Sequence, residues 1–324
     1  MGKKIIPVSI ISTVLNESKT ILELLDSLQK QTVKAQEIII IDGGSVDTTY
    51  QLLQDTEKRF DEYLKVIVKQ GNRSAGRNAG IKIASQQIIV CTDAGCIPEP
   101  TWLEKLYERY LQTNCPVVAG YYTGNGKTSF EKAVVPYALV MPDKVDPKNF
   151  LPATRSVLFE KEVWNAVGRF DEELSDNEDY AFAHAVKAKN FPIAFTHDAV
   201  VVWKPRSTLK SFYTMIFRFA RGDIQAGLLR PKVILLFGRY ILGTLLCIYL
   251  LRRSIFDTLL ASVCIAFLYA IWSIMKNKKY VGGGWVWLPL LQVSSDFAVI
   301  HGSIEGFYKW LFGNRKYNQQ YQHN

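Results

Sequence analysis

Four short stretches, residues 7–13, 37–42, 64–69 and 87–93, are apolar at successive positions rather than at alternate ones. A strand with one wet face alternates polar and apolar residues. A strand covered on both faces does not, and a helix-covered parallel sheet is its usual setting. Helical patterns fill the gaps between these runs. Residues 18–31 put Ile21, Leu24, Leu25 and Leu28 on one face, and residues 48–60 and 74–84 follow the same logic. The βαβ alternation predicts a doubly wound, mainly parallel sheet, with ligands at the carboxyl ends of its strands. Asp42 and Asp93 fall at two such ends. The start, MGKKIIPVSII, has no long apolar run and no small-residue cleavage site, so it reads as the first strand rather than a signal peptide.

The formal charge of +9 suggests a nucleic-acid partner until it is divided along the chain. Residues 1–203 hold 23 Lys and Arg against 26 Asp and Glu, a net of −3. Residues 204–324 hold 16 against 4, a net of +12. The positive third also contains the long apolar runs, which points to a membrane rather than to nucleic acid. Residues 233–251 carry one charge, Arg239, and residues 258–275 carry none. A span needs about 20 apolar residues, so spans are expected over about 233–251 and 255–275. A weaker third, 281–300, is interrupted by glycines, Pro289 and Asp296.

The expected organisation is an α/β domain over 1–203, a basic amphipathic interfacial region over 204–232, membrane segments over 233–313 and a polar tail over 314–324. In the basic region Leu209, Phe212, Tyr213, Ile216 and Phe217 recur at helical spacing beside Lys204, Arg206 and Lys210, the pattern of a helix lying on an anionic bilayer. Basic residues before the first span and at 276–279 outweigh Arg252 and Arg253, so the N-terminal domain of a multi-pass cell-membrane protein is expected in the cytoplasm. The five cysteines form no CxxC pair, so they read as packing residues rather than a disulfide framework or zinc site.

No GxGxxG or GxxxxGK[ST] follows the first strand, which removes most support for a dinucleotide oxidoreductase or a P-loop enzyme. Six pieces in order, VSIISTVLNES, EIIIIDGGSVDTT, GRNAGIKIA, CTDAGCIPEPTWLEKL, VGRFDEEL and NEDYAF, resemble the family 2 glycosyltransferases of GT-A fold over about residues 5–230. TDAGC, LPATRSVLFEKEVW and FARGDIQAGL are similar to a membrane-associated branch carrying DAG where most members carry DxD.

The resemblance implies a GT-A type sheet followed by membrane helices, a nucleotide-sugar donor and a divalent cation, Mg²⁺ or Mn²⁺. Its acceptor is expected to be a lipid-linked or cell-surface glycan, with membrane lipids as further partners. Asp93 matches the first acid of DxD and becomes the metal residue, whereas Gly95 replaces the second. Asp42 matches the nucleoside-binding acid, and Thr13 and Asn16 line the same cleft. Arg77 either meets base or phosphate or is a solvated helix arginine. Glu178 and Asp179 match the acidic pair. Asp179 is the expected general base of a direct, inverting displacement, with Glu178 the next candidate. A bland reading of the pair, acids at a helix start favoured by the dipole, is compatible with that role. Arg155, Arg218 and Arg221 are carried over as donor-binding residues; Arg155 and Ser156 are also placed toward the acceptor. His197 reads as structural rather than as a metal ligand, and Trp203 stands where the family often has a histidine.

Two other functions stay open at this point. One is a processive polysaccharide synthase, disfavoured by the lack of a QxxRW-type run and by too few apolar segments for a channel. The other is a silent scaffold or glycan-binding partner, suggested by Gly95.

Overall fold

The computed structural model describes residues 3–312 except 59, 61 and 62; the expected tail over 314–324 lies outside the described residues. The chain forms two compact units. The first comprises the residues up to Gly124 together with Pro142–Lys204. The second comprises Asn125–Met141 and the residues from Pro205 on. The segment 125–141, expected within the catalytic domain, therefore joins the C-terminal helices.

In the first unit the elements run β1 (Ile5–Val14), α1 (Ile21–Gln29), β2 (Lys34–Asp42), α2 (Thr49–Glu57), β3 (Leu64–Val68), α3 (Arg73–Ile83), β4 (Ile88–Cys91), β5 (Cys96–Pro98), α4 (Trp102–Thr113) and β6 (Val117–Gly124). After α5 (Ser129–Ala138) of the second unit come β7 (Val157–Glu160), α6 (Lys161–Ala166), α7 (Glu178–Ala188) and β8 (Ile193–Trp203). All eight strands form one sheet in the order β3-β2-β1-β4-β7-β6-β8-β5. Strands β3, β2, β1 and β4 are parallel neighbours, as the consecutive apolar runs predict. The other half departs from the expected mainly parallel sheet. β7 lies antiparallel between β4 and β6, and β5 is antiparallel to β8. β6 and β8 are again parallel, so the sheet is mixed because β7 and β5 run against their neighbours.

The core follows from the sequence pattern. Residues 38–41 of β2 are all fully buried isoleucines, covered on both faces. On α1, Ile21, Leu24, Leu25 and Leu28 are at most 2% exposed. Each such side chain contributes about 1.5–3 kcal/mol on burial. Cys91 and Cys96 are buried, and all five cysteines are free.

The second unit adds α8 (Leu209–Gln225), α9 (Pro231–Leu251), α10 (Ile255–Val281) and α11 (Leu288–Phe312) to α5. Thr128 opens α5 with a capping box to Glu131. The glycine run forms a 3-10 turn over Gly282–Trp287, so the third apolar segment is helical from Leu288 rather than from 281. Gly302 and Gly306 let α11 lie against α8; a Cβ at Gly302 would collide with the Phe217 carbonyl oxygen. Pro231–Leu251 and the run Ile255–Phe312 are long and apolar enough to cross a membrane. Their most apolar windows are 0% and 6% buried, unlike the core helices of a soluble domain. They suggest membrane association.

Candidate active site

Because β2, β1 and β4 are neighbours, the segments after them meet along one edge of the sheet. Asp42 closes β2 and is 1% exposed. Its Oδ1 accepts from the backbone N–H groups of Gly44 (3.0 Å) and Ser45 (2.8 Å). Gly44 adopts φ +98°, a conformation that glycine enters without strain. Asp42 Oδ2 is buried and has no hydrogen-bond partner. Asn16, at φ 55°, ties the loop after β1 to the loop after β2. Its Oδ1 accepts from Val46 N (2.9 Å) and its N–H donates to Ser45 Oγ (2.9 Å). Thr13 is half-buried under α3.

Helix α3 brings the arginine in. Gly76 and Gly80 face the sheet, where added Cβ atoms would come within 2.9 Å of Thr13 Cγ2 and Ile11 Cγ2 respectively. That close approach carries Arg77 and Asn78 into the interior. Arg77 is 2% exposed, so it is not a solvated helix arginine, and its guanidinium is taken up by two carboxylates. It donates from Nη1 to Glu178 Oε1 (2.5 Å) and from Nη2 to Asp93 Oδ1 (2.9 Å). Thr154 Oγ1 also donates to Asp93 Oδ1 (3.1 Å).

Burial pushes the Asp93 carboxyl up, but Arg77, Arg73 and Arg155 outweigh it and hold its pKa below the usual value. For Glu178 burial dominates, reinforced by Asp179 against the pull of Arg77, and its pKa is raised. Its Oε2 is buried without a partner. Glu178 is thus occupied by Arg77, whereas Asp179 is half-buried in the first turn of α7 and accepts from Tyr180 N through Oδ1 (2.8 Å).

The loop that delivers the acidic pair is fastened to the same helix. Asn78 donates to Phe170 O (2.8 Å) and Glu172 Oε1 (2.9 Å), and accepts from Trp164 Nε1 (3.0 Å) and Phe170 N (3.1 Å). Asn72 donates to Glu172 O (2.7 Å) and Leu174 O (3.1 Å). Asn72, Asn78, Thr154 and Arg73 escaped the reading of the sequence. The Gly76–Gly80 spacing was the one available signal that α3 presses its 77–78 flank inward.

Arg155 lies over the rings of Tyr122 (5.5 Å) and Trp203 (5.7 Å) and interacts electrostatically with Asp93 and Asp179. Ser156, expected to face the acceptor, is instead fully buried. It accepts from Trp102 Nε1 (2.8 Å) and donates to Ala199 O (3.2 Å). His197 is exposed, and its ring is tilted against that of Tyr121 with centroids 4.1 Å apart. Arg218 and Arg221 belong to α8 in the second unit. There Arg221 pairs with Glu305 (3.1 Å) and lies over Phe217 (5.2 Å), while Arg218 is exposed.

Among the described residues no group of three or more His, Cys, Asp or Glu side chains is poised to hold a metal. Asp93 Oδ2 has no hydrogen-bond partner among them, and the carboxylate is 30% exposed. A Cβ at Gly95 would meet nothing within 4 Å. A single available carboxylate oxygen fits a hard cation that takes its other ligands from phosphates and water.

The model of the family described as Glycosyl transferase family 2 matches residues 9–166. The succinoglycan biosynthesis protein ExoA of Rhizobium meliloti (strain 1021) is 24% identical over 93% of this chain and 94% of its own length. The poly-beta-1,6-N-acetyl-D-glucosamine synthase of Staphylococcus epidermidis is 25% identical over 64% of this chain and 52% of its own length. Several curated relatives are matched over only about half of their length or less, 38% to 54%. The fold is similar to that of GalNAc-T7, crystallised with UDP, GalNAc and Mn²⁺, at a TM-score of 0.51 and 16% identity over 67% of this chain and 47% of that one.

Proposed function

We propose that this chain, whose residues 9–166 match the family 2 glycosyltransferase model, is an inverting glycosyltransferase of the cytoplasmic membrane face. It transfers a sugar from a nucleoside-diphosphate sugar to a lipid-linked or cell-surface glycan acceptor. The observation that carries this reading is the Asp93–Arg77–Glu178 bridge. It joins the segment after β4 to the start of α7 and holds Asp179 in the helix's first turn beside Arg155.

Asp42 receives the nucleoside: its orphaned Oδ2 accepts from a base N–H or a ribose hydroxyl. Asn16 and the Gly43–Gly44 turn shape that end of the cleft. Asp93 Oδ2 is the protein oxygen that would hold a divalent cation, which when bound supplies positive charge to the diphosphate oxygens. Arg155, which lies over the Tyr122 and Trp203 rings, supplies fixed positive charge to the leaving group as the bond from the anomeric carbon to the diphosphate breaks. Asp179 takes the proton of the acceptor hydroxyl as that oxygen attacks the opposite face. With one base and no covalent nucleophile, the configuration inverts. Arg77 is a positioning residue rather than a ligand for the donor.

The test is donor turnover by the purified full chain across nucleoside-diphosphate sugars with Mg²⁺ or Mn²⁺, with and without membrane lipid extract. Transfer with inversion supports the reading, and absence of both hydrolysis and nucleotide binding overturns it. Because the S. epidermidis relative is a polysaccharide synthase, product length is measured in the same assay; long polymers would favour a processive enzyme.

A further inference from the structure

Helix α3 holds the acidic pair by two fastenings, and the proposed reaction uses only one of them, Arg77 on Glu178. The second is made by the next residue, Asn78, and it reaches α7 by way of Phe170. Asn78 is 8% exposed, and both N–H groups and both lone pairs of its amide are engaged. Two of those four bonds take the backbone N–H and the carbonyl of Phe170, so one side chain fixes both polar groups of that residue. The Phe170 ring, 2% exposed, stacks on Phe182 of α7 with centroids 4.4 Å apart. Phe182 lies about one turn after Asp179 on the same helix. Whatever fixes Phe170 therefore fixes the part of α7 that presents the base.

The segment between α6 and α7 does not hold this shape by backbone preference. Arg169 at φ +73° and Asn177 at φ +56° sit in the left-handed region, which residues other than glycine enter at a cost. Asn177 occupies the N-cap of α7, yet it makes no side-chain hydrogen bond to the first turn. A segment strained near both ends and lacking that cap keeps one conformation only where its neighbours over-determine it. Asn72 and Asn78 are such neighbours. Besides Phe170 they bond Glu172 Oε1, Glu172 O and Leu174 O, and Asn72 also accepts from Ala75 N at the start of α3.

We infer that Asn78, assisted by Asn72, is a positioning residue of the transfer step, fixing through Phe170 and Phe182 the part of α7 that carries Asp179. The inference rests on Asp179 being the base of the proposed reaction. The nucleoside end of the cleft, at Asp42 and Asn16, is built from other segments. Loosening the fastening should therefore slow transfer and leave nucleotide affinity unchanged.

The experiment measures single-turnover transfer, nucleoside-diphosphate affinity and melting temperature of the full chain, with the donor and lipid extract that support wild-type turnover. Asn78→Asp keeps the shape but sets an oxygen against Phe170 O and Glu172 Oε1. It should lower transfer about 10²-fold at wild-type nucleotide affinity, the scale of a misplacement of about 1 Å. Adding Glu172→Gln returns a donor to one of those contacts and should recover about tenfold of the loss. Asn72→Ser keeps a cap for α3 but loses the amide N–H groups that reach the loop. It should lower transfer about tenfold, and it tests the fastening even where Asn78→Asp does not fold. Trp164→Phe removes one bond to Asn78 and leaves those to Phe170; it should lower the melting temperature while folded protein transfers at the wild-type rate. Transfer that falls in every variant in step with melting temperature would make the role structural and overturn the inference. Wild-type transfer by folded Asn78→Asp or Asn72→Ser overturns it too, while the proposed function stands. If Asp179→Asn transfers sugar at the wild-type rate, the base assignment fails, and this inference with it.

Discussion

Glu37 and Glu178 are hidden to the same degree within one unit, 4% and 2% exposed, yet they are held in different ways. Glu37, in the amino-terminal half of β2, has every acceptor in use. Oε1 receives Ser9 Oγ (2.7 Å), Ser85 N (2.6 Å) and Ser85 Oγ (2.7 Å), and Oε2 receives Lys65 Nζ (2.7 Å). Burial pushes its carboxyl up, but Lys65, Ser9 and Ser85 together pull it from 4.5 to about 2. Glu178 has one oxygen on Arg77 and one with no partner, and its pKa moves the other way. Asp42 Oδ2, at the carboxyl end of β2, is orphaned too. An unmade hydrogen bond to a buried acceptor costs about 1–3 kcal/mol, so such atoms call for a cause. The contrast separates an acid whose hydrogen bonds join strands from acids that keep one acceptor without a partner.

The sharpest way to break the comparison is Asp93→Asn. It should abolish donor turnover and leave the folded state in place, since Asn keeps the acceptor for Arg77 and Thr154. Full activity in that variant, or in excess chelator, would remove Asp93 from cation binding.

Next in size is a crossed pair. Asp179→Asn should lower single-turnover transfer about 10²-fold or more while nucleotide affinity stays at the wild-type value. Asp42→Asn should do the reverse, weakening nucleotide binding about tenfold, the scale of a charge-assisted hydrogen bond. Were both variants to lose nucleotide binding, these acids would belong with Glu37 as parts of the scaffold.

Glu37→Gln should leave nucleotide affinity untouched and cost about 3 kcal/mol of stability at neutral pH, the free energy of its lowered pKa. The folded carboxyl holds a proton less tightly than the unfolded one. Its stabilisation is therefore present above about pH 4.5 and is lost as pH falls toward 2. Urea melts across that window should slope more steeply for the wild type than for Glu37→Gln. A variant with the wild-type slope would show that Glu37 is not the titrating joint.

The smallest effect on stability is expected at Gly95, where a side chain would meet open space. Gly95→Asp should shift stability by no more than about 0.5 kcal/mol and raise Mn²⁺ affinity, measured by calorimetry in the presence of nucleoside diphosphate. No change in affinity would place position 95 away from the cation.

Local pattern carried much of this fold. Successive apolar residues foretold the parallel half of the sheet, and apolar spacing foretold α1, because both depend only on which neighbours along the chain seek burial. Runs of 18 or more apolar residues likewise marked α9 and α10, since a bilayer's thickness is matched by length and composition alone. Asp42, Asp93 and Asp179 were legible as acids at element ends. What those acids touch was not. Arg77 meets partners 16 and 101 residues away, and it reaches them because Gly76 and Gly80 let α3 sink onto β1. The assignment of 125–141 to the helical unit, the antiparallel insertion of β7, and the confinement of Ser156 beneath Trp102 are of the same kind. Each depends on which distant segments share a space, and chain order sets no energy for that until the packed structure brings them together.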